Sequence, residues 1–242
     1  ADLAIRALEA GKHVFLEKPI ALTVSDAQKV VRAAASDRIL TVGFNRRFAP
    51  ASSVVAKQVL GTGPMQVSYR VRGGSLPEGH WLDDPALGGG RLLGEAVHFF
   101  DWMAWLIGAE PKRMHATGSP EHAQIQTEFA DGSLCTLIYT TSGASGTPKE
   151  RVEVLAGDVT AVINDFASVT IVDGASRPKT VRAQGKGHAE QLVAFSKSLR
   201  TGERTGPDAT DGARATIWAI AALDSIRTRQ PRDLDPAAWL NP

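Results

Sequence analysis

The sequence has almost no cysteine and no strong charge of either sign. Its 242 residues include one cysteine, Cys135, and carry a formal net charge of +1. A single cysteine excludes an internal disulfide and agrees with a reducing compartment, so we expect a cytoplasmic protein. The balanced, scattered charge gives no reason to expect nucleic acid or a membrane surface as a partner. Cys135 lies in an apolar run, which favours a buried thiol over a nucleophile.

Long apolar runs are also missing. No segment approaches the ~20 apolar residues that a membrane-spanning helix needs, and no signal peptide is visible. Hydrophobic residues make up 43% of the chain and charged residues 22%, as in ordinary soluble proteins that bury a substantial core. The composition therefore indicates a globular protein of one large or two smaller domains.

The first 45 residues alternate between helical and strand-like segments. Helical spacing runs over Asp2 to Ala10 and Asp26 to Ala35, and each segment is followed by a short apolar strand, His13 to Glu17 and Ile39 to Phe44. This alternation with tight connections is typical of a parallel sheet covered on both faces. Two strands are too few for such a sheet to stand alone, so we expect them to belong to a larger one.

The pattern changes after residue 45. Met65 to Gly73 alternates between apolar and polar residues, and several strand-like runs follow Pro111. Asp131-Gly132 and Gly157-Asp158 separate such runs and are typical of tight hairpin turns. Residues 46–242 are therefore predicted to form an α+β domain with a mostly antiparallel sheet and helices on one face.

Two helices are predicted near the end of the chain. They run from Gly187 to Leu199 and from Asp211 to Arg227. The first has an apolar spacing that should turn three side chains inward, namely Leu192, Phe195 and Leu199.

Gly88 to Gly108, GGGRLLGEAVHFFDWMAWLIG, is an almost wholly apolar helical stretch with a narrow polar line. At about 100° per residue, Arg91, Glu95, His98 and Asp101 fall within one sector of about 120°. Buried charges must be paired or must face a polar cleft, because an unpaired one costs several kcal/mol. For Glu95 and Asp101 two interpretations remain, an internal ion pair and a position in a ligand cleft. For His98 the position in a cleft is favoured.

Lys18-Pro19 follows the first strand in the stretch GKHVFLEKPIAL. In open α/β sheets, ligands lie outside the carboxyl ends of the strands. A partly desolvated lysine there can hydrogen-bond a substrate hydroxyl or a ring carboxamide, or act as an acid or base. The alternative is a solvated lysine beside a turn proline.

The stretches GKHVFLEKPIALT, VGFNRRF and GGGRLLGEAVHFFD, in this order, resemble the Gfo/Idh/MocA family of NAD(P)-dependent oxidoreductases. The resemblance covers essentially the whole chain and is closest to members with GEAxHFxD in the central helix. It implies that residues 1–45 are the C-terminal remnant of a dinucleotide-binding Rossmann domain, and that 46–242 form a substrate-binding and oligomerisation domain. It also implies hydride transfer between NAD or NADP and a secondary alcohol of a sugar, cyclitol or related polyol.

The same resemblance assigns roles at the end of the first strand. Lys18 matches the lysine of the family's Glu-Lys-Pro, which contacts the nicotinamide region and the reacting hydroxyl. Glu17 and Pro19 are the expected neighbours in cofactor binding. His98 matches the family histidine that commonly serves as acid or base beside the substrate carbon.

The chain departs from the family pattern at Gly94. Many members have an aspartate there, four residues before the histidine, whereas this chain has its carboxylate at Glu95. We therefore rank His98 first as proton acceptor, Lys18 second and Glu95 third. The substrate-binding candidates are Arg47, His80, Trp81 and Asp101.

No metal is expected, because Glu95-x-x-His98 is only half of a di-metal carboxylate motif. The glycines Gly88-Gly89-Gly90 follow no strand and lack GxGxxG spacing, so we interpret them as a tight loop and not as a phosphate cradle. The sequence thus lacks a pyrophosphate site. We expect the C-terminal portion of a longer dehydrogenase, inactive by itself.

The resemblance further implies a small polyol or sugar as substrate and a homodimer or homotetramer formed through the sheet. Two other functions stay open. One is an NAD-dependent glycosidase on the same scaffold. The other is a non-catalytic scaffold or regulatory subunit that lost the cofactor site.

Overall fold

A computed structural model describes residues 1–35, 37–84 and 87–234. Its strands form two sheets, one of two strands and one of nine. Residues 235–242 of the predicted second domain lie outside the described part. The predicted fold class, an α+β protein with a large and mostly antiparallel sheet, is confirmed.

The small sheet comes from the first 45 residues, in the order α1 (Asp2–Glu9), β1 (Val14–Leu16), α2 (Val24–Ala34) and β2 (Leu40–Val42). The two strands are parallel, as predicted, with Val14 opposite Leu40. α2 begins where the Thr23 hydroxyl accepts a hydrogen bond from the Asp26 N–H at 3.1 Å.

A 3-10 turn (Asn45–Phe48) and α3 (Pro50–Val59) lead into the large sheet. Its strands are β3 (Met65–Arg72), β4 (Pro111–Gly118), β5 (His122–Phe129), β6 (Leu134–Thr140), β7 (Glu150–Ala156), β8 (Val159–Asn164), β9 (Ser168–Asp173), β10 (Lys179–Arg182) and β11 (Arg232–Asp233).

The spatial order is β10-β9-β8-β7-β3-β6-β5-β4-β11, so β3 is the central strand. All neighbours are antiparallel except β3 and β6, which run parallel. The predicted turns are found between β5 and β6, and between β7 and β8, where Gly132 and Gly157 have φ of 87° and 54°. Such positive φ values favour glycine.

One face of the large sheet is covered and the other is open. In β3, for example, Val67 and Tyr69 are buried, whereas Gln66 and Ser68 between them are exposed. α3, α4 (Val97–Ile107) and α6 (Ala209–Thr228) pack on the covered face. The open face also carries apolar residues, since Leu134 and Leu155 are each 43% exposed.

α5 (His188–Thr201) contradicts the predicted inward face. Leu192 is 57% exposed and Leu199 42% exposed, and only Phe195 packs inward, with its ring 5.4 Å from that of Phe15. The buried face instead carries Gln191, whose side-chain amide donates to the Val42 carbonyl at 2.8 Å. The prediction was wrong because a carbonyl at the end of β2 needs a donor, and apolar spacing does not reveal this need.

The central helical segment contains a π turn. Residues Leu92–Ala96 form this turn, and α4 continues from Val97 until Gly108 ends it in the left-handed conformation. The wider π geometry breaks the regular spacing of 100° per residue that the sequence predicted. π turns of this kind are frequent at functional sites.

Candidate active site

Lys18 and the central helix meet at one point. The Lys18 ammonium, at the carboxyl end of β1, donates a hydrogen bond to the Gly94 carbonyl at 2.7 Å. Gly94 belongs to the π turn, which contributes this carbonyl to the site. Burial lowers the pKa of Lys18, and the nearby positive charge of Arg46 lowers it further.

His98 follows in the first turn of α4. Its ring lies edge-on to Phe44, with centroids 6.0 Å apart, and its Nδ1 is buried without a hydrogen-bond partner among the described residues. Burial holds the pKa of His98 well below its usual range, and the positive charges of Arg46 and Lys18 add to this effect. The imidazole is therefore neutral at pH 7 and able to accept a proton.

Glu95 lies next to Gly94 in sequence and has two cationic neighbours. Arg91, one turn earlier, is 3.5 Å from its carboxylate, and Lys149 is 3.7 Å away. The predicted catalytic residues Lys18, His98 and Glu95 are thus brought to the same π turn and its continuation. Lys149 was not predicted, because it lies in a loop before β7 and belongs to no recognisable motif.

The Leu82 side chain occupies the space beside Gly94, where many family members have an aspartate. A Cβ atom on Gly94 would overlap the Cδ1 atom of Leu82. Leu82 is itself buried, with 8% of its surface exposed. The space that a side chain at 94 would need is therefore filled from the loop that precedes the helix. A side chain at position 94 would therefore require the Leu82 side chain to move.

Arg47 and Asp101 form a buried ion pair with each other. Arg47 donates from Nε to Asp101 at 2.8 Å, makes a second hydrogen bond to the same carboxylate, and lies 3.1 Å from Asp211. Burial raises the pKa of Asp101 to about 7, even though the Arg47 charge acts in the opposite direction. For Asp101 this geometry fits the internal ion-pair interpretation, and substrate contact by either residue stays a prediction.

His80 and Trp81 lie in the loop before the central helix. Their rings stack at 5.7 Å, and the indole is 58% exposed. His80 Nδ1 accepts a hydrogen bond from the Leu82 N–H at 3.2 Å, which fixes the ring orientation. The predicted substrate contacts of both residues also remain predictions.

The triple glycine is a tight loop, as expected. The Gly88 and Gly89 N–H groups both donate to the Asp84 carbonyl, at 2.8 and 3.2 Å. A Cβ on Gly88 would lie 2.5 Å from Leu82 Cα, so only glycine allows this close approach of two backbone segments.

A buried charge network under the site was missed by sequence reasoning. Glu150, fully buried, accepts hydrogen bonds from Arg46 at 2.7 and 2.8 Å, from Tyr69 at 2.5 Å and from Lys186 at 2.7 Å. The Arg46 guanidinium also lies 5.0 Å from the Phe99 ring centroid. Glu150 is the first residue of a strand with alternating polar and apolar residues. The sequence pattern around it gives no sign that it pairs with Arg46, 104 positions away.

The residues expected to bind the cofactor lie at the carboxyl ends of the two parallel strands. The Glu17 carboxylate lies over Gly43, where a Cβ would be only 2.9 Å from its Oε2. Lys18 and Pro19 follow directly, so this edge offers a donor and an acceptor to a nicotinamide ring. The sequence supplies no GxGxxG turn for a pyrophosphate. Among the described residues, no three His, Cys, Asp or Glu side chains are grouped as a metal would require.

Family models match two consecutive parts of the chain. The model described as "Oxidoreductase family, NAD-binding Rossmann fold" matches residues 1–44, and the "GFO/IDH/MocA C-terminal domain" matches 48–161. The myo-inositol 2-dehydrogenase of Thermotoga maritima is 25% identical over 97% of this chain and 76% of the relative. The inositol 2-dehydrogenase of Salmonella typhimurium is 30% identical over 94% and 72%.

Solved structures show the same fold. An oxidoreductase domain protein from Kribbella flavida superposes with a TM-score of 0.85 at 21% identity, over 96% of this chain and 77% of that one. Levoglucosan dehydrogenase in complex with NADH and levoglucosan also gives 0.85, at 20% identity over 97% and 77%. No helix in the described ranges is long and apolar enough to cross a membrane.

Proposed function

Because this chain belongs to the Gfo/Idh/MocA family of oxidoreductases, we propose that it is the substrate-binding and proton-transfer part of an NAD(P)-dependent dehydrogenase of a sugar or polyol. The inositol and levoglucosan dehydrogenases among its relatives support this substrate class. Residues 1–45 would belong to the nucleotide-binding domain and 46–242 to the substrate domain.

One observation carries the proposal, the 2.7 Å hydrogen bond between Lys18 and the Gly94 carbonyl. It joins the end of a parallel strand, where cofactors of open α/β sheets bind, to the helix that carries His98. A buried lysine and a buried neutral histidine of lowered pKa at one place are the groups that alcohol oxidation needs.

The residues act by binding the substrate hydroxyl and moving its proton. Lys18 donates a hydrogen bond to the hydroxyl oxygen, and neutral His98 accepts the proton as the C–H bond breaks. Glu17 and Pro19 help to hold the cofactor beside Lys18. A bound nicotinamide ring would supply the hydride acceptor.

Arg46 has a supporting role. It is 7% exposed and held by Glu150, so its charge is fixed close to both Lys18 and His98. A fixed cation favours the uncharged forms of both groups, so that His98 carries no proton on its second ring nitrogen before the reaction.

The test uses the full-length product of the gene, NAD⁺ or NADP⁺, and a panel of sugars and cyclitols that includes myo-inositol and levoglucosan. Lys18→Met and His98→Ala should each lower turnover by about 10²–10⁴-fold, the usual contribution of a positioned proton-transfer group. The exposed Lys57→Met is the control and should change nothing. Near-normal turnover in both variants would refute the assignment, and loss only in Glu95→Gln would transfer the base role to Glu95.

The open face of the large sheet is our proposed oligomer interface. Leu134 and Leu155 flank Gln66 across three neighbouring strands and line a groove of about 540 Å³, and no residue of the π turn lines this groove. Exposed apolar side chains on a sheet face are typical of a subunit contact. Leu134→Glu with Leu155→Glu should shift the sedimenting species toward a 25.7 kDa monomer, whereas Leu199→Glu on α5 should not. A monomer before any substitution would contradict this interface.

A further inference from the structure

The carboxylate of Glu95 has two cationic neighbours, and both lie beyond direct hydrogen-bond distance. Its Oε1 atom is 3.5 Å from Arg91, and its Oε2 atom is 3.7 Å from the Lys149 ammonium. A charge-assisted N–H···O hydrogen bond is usually about 2.7–2.9 Å long. The buried Glu150 shows the difference, because its distance to the Lys186 ammonium is 2.7 Å. The Lys149–Glu95 pair is therefore an open ion pair.

The two oxygens of Glu95 face different surroundings. Oε1 faces Arg91, which is buried, and the buried Tyr139 hydroxyl interacts with the same carboxylate. Oε2 faces Lys149, whose side chain is 39% exposed, and the Glu95 side chain itself is 16% exposed. Glu95 is thus held from its buried side, while a ligand can reach the pair from the side of Lys149.

Lys149 has a fixed backbone and lies close to the proposed catalytic groups. Its carbonyl accepts a hydrogen bond from the Arg72 N–H at 2.8 Å. Burial is the main cause of the lowered pKa of Lys18 and of His98, and the Lys149 charge adds to this effect in both. The Glu95 charge acts on Lys18 in the opposite direction. The open ion pair therefore belongs to the same site, although the proton transfer proposed above does not use it.

A single hydroxyl group suits the gap between Lys149 and Glu95. A hydroxyl both accepts and donates, so it can accept a hydrogen bond from the ammonium and donate one to the carboxylate. Two hydrogen bonds of about 2.8 Å that meet at a tetrahedral angle span roughly 4.5 Å. The present separation is 3.7 Å, so a shift of about 0.8 Å by the partly exposed Lys149 admits the hydroxyl. No direct hydrogen bond within this pair has to be broken first.

We propose that Lys149 and Glu95 are specificity-determining residues, which bind a second substrate hydroxyl on the carbon next to the one that is oxidised. Lys18 and His98 serve the reacting hydroxyl. Because Gly94, which accepts the Lys18 hydrogen bond, directly precedes Glu95, the two hydroxyl sites are adjacent. The enzyme then selects vicinal diols over other secondary alcohols. The inference rests on the proposed dehydrogenase function and adds to it the residues that recognise the neighbouring hydroxyl.

The experiment compares isomers that differ only in the position of the second hydroxyl group. These are the cis and trans forms of 1,2-cyclohexanediol and of 1,4-cyclohexanediol. With the full-length gene product and NAD⁺ or NADP⁺, kcat/KM for the better 1,2 isomer should exceed that for the better 1,4 isomer by about 10-fold or more, because hydrogen bonds to charged groups are the stronger ones. If the diols only inhibit the oxidation of myo-inositol or levoglucosan, their inhibition constants take the place of kcat/KM.

Variants test the two residues. Lys149→Met should lower the ratio of the 1,2 to the 1,4 isomer toward one, mainly through KM, and Lys149→Arg, which keeps the donors, should preserve more of it. Glu95→Gln keeps an acceptor oxygen but loses the charge, so it should lower the ratio to a smaller extent. The exposed Lys57→Met is the control and should leave the ratio unchanged. If Glu95→Gln fails to fold, the Lys149 variants still decide the question.

The outcomes separate the two proposals. Equal constants for the isomers, or a ratio that stays the same in Lys149→Met, would overturn the diol site and leave the dehydrogenase function standing. A purely structural Lys149 would lower the constants of all isomers equally. If no compound is oxidised, thermal shifts of the protein with each isomer decide. Greater stabilisation by a 1,2 isomer, lost in Lys149→Met, would support the diol site while the dehydrogenase function fails, and equal shifts would overturn the site.

Discussion

Replacing Glu150 by glutamine should destabilise the protein strongly, because four hydrogen bonds and two cations converge on this carboxylate. Glu150 is fully buried, and its acceptor atoms serve Arg46, Tyr69 and Lys186 at 2.5 to 2.8 Å. Glutamine has nearly the same shape but no charge. The Arg46 guanidinium, 7% exposed, would remain buried without a counter-ion.

The magnitude follows from the pKa of Glu150. Burial alone would raise this pKa, but the charges and hydrogen bonds of Arg46 and Lys186 lower it from 4.5 to about 2. At about 1.4 kcal/mol for each pKa unit, the ionised form gains about 3 kcal/mol of stability from the fold. Removing one partner of a buried pair costs about 3–5 kcal/mol in other proteins, which agrees.

The pH dependence has a defined direction. The pKa of Glu150 is lower in the folded state than in the unfolded chain. The contribution of this carboxylate to the free energy of unfolding is therefore complete above about pH 4.5. It is lost as the pH falls from there toward 2, because the unfolded chain takes up the proton first. In Glu150→Gln this part of the pH dependence should be absent.

Urea unfolding at pH 7 and at several lower pH values measures both effects. The control is Glu203→Gln, whose side chain is 67% exposed and 3.9 Å from Lys197, and it should change stability by less than about 0.5 kcal/mol. A loss below about 1 kcal/mol in Glu150→Gln, or an unchanged slope between pH 4.5 and 2, would refute the reasoning.

Two further predictions follow from close packing and from the missing phosphate loop. Gly94→Ala should lower the free energy of unfolding by about 1–2 kcal/mol in thermal unfolding, because the new Cβ overlaps Leu82. In a Leu82→Ala background the same substitution should instead raise the free energy of unfolding. Additive effects of the two substitutions would contradict the overlap. The 242-residue chain should bind NAD⁺ and NADP⁺ only weakly in calorimetry, since the contacts we propose for Glu17 and Lys18 are with the nicotinamide end alone. Micromolar affinity would show that the cofactor is held in another way.

The local features of the fold were predictable because they depend on neighbours in sequence. The strand before Lys18, the parallel pairing of β1 and β2 and the hairpin turn at Gly157 follow from apolar runs and turn residues. The meeting of Lys18 with the central helix followed only from the family resemblance, because the two residues that join there, Lys18 and Gly94, are 76 positions apart.

Features that depend on distant partners were not predictable. The central strand β3 pairs in parallel with β6, which no turn signal announces. The helical wheel placed Glu95 and Asp101 in one sector, yet Asp101 pairs with Arg47 while Glu95 faces Lys149. The π turn, Leu92–Ala96, contains Glu95 and lies between Arg91 and Asp101, whereas single-sequence periodicity assumes regular α geometry.

The connection between the two sheets has a mechanical consequence. Its residues are fastened to separate elements, since Asn45 donates to the Lys186 carbonyl at 2.7 Å, Arg46 is held by Glu150, and Arg47 by Asp101. A hinge needs residues whose backbone can change without breaking strong contacts. Rotation here would pull buried ions out of their pairs, so we expect the two sheets to move as one body about this joint. We therefore expect ligand entry to depend on smaller segments than the sheets, such as the residues around Leu82, whose side chain packs against Gly94.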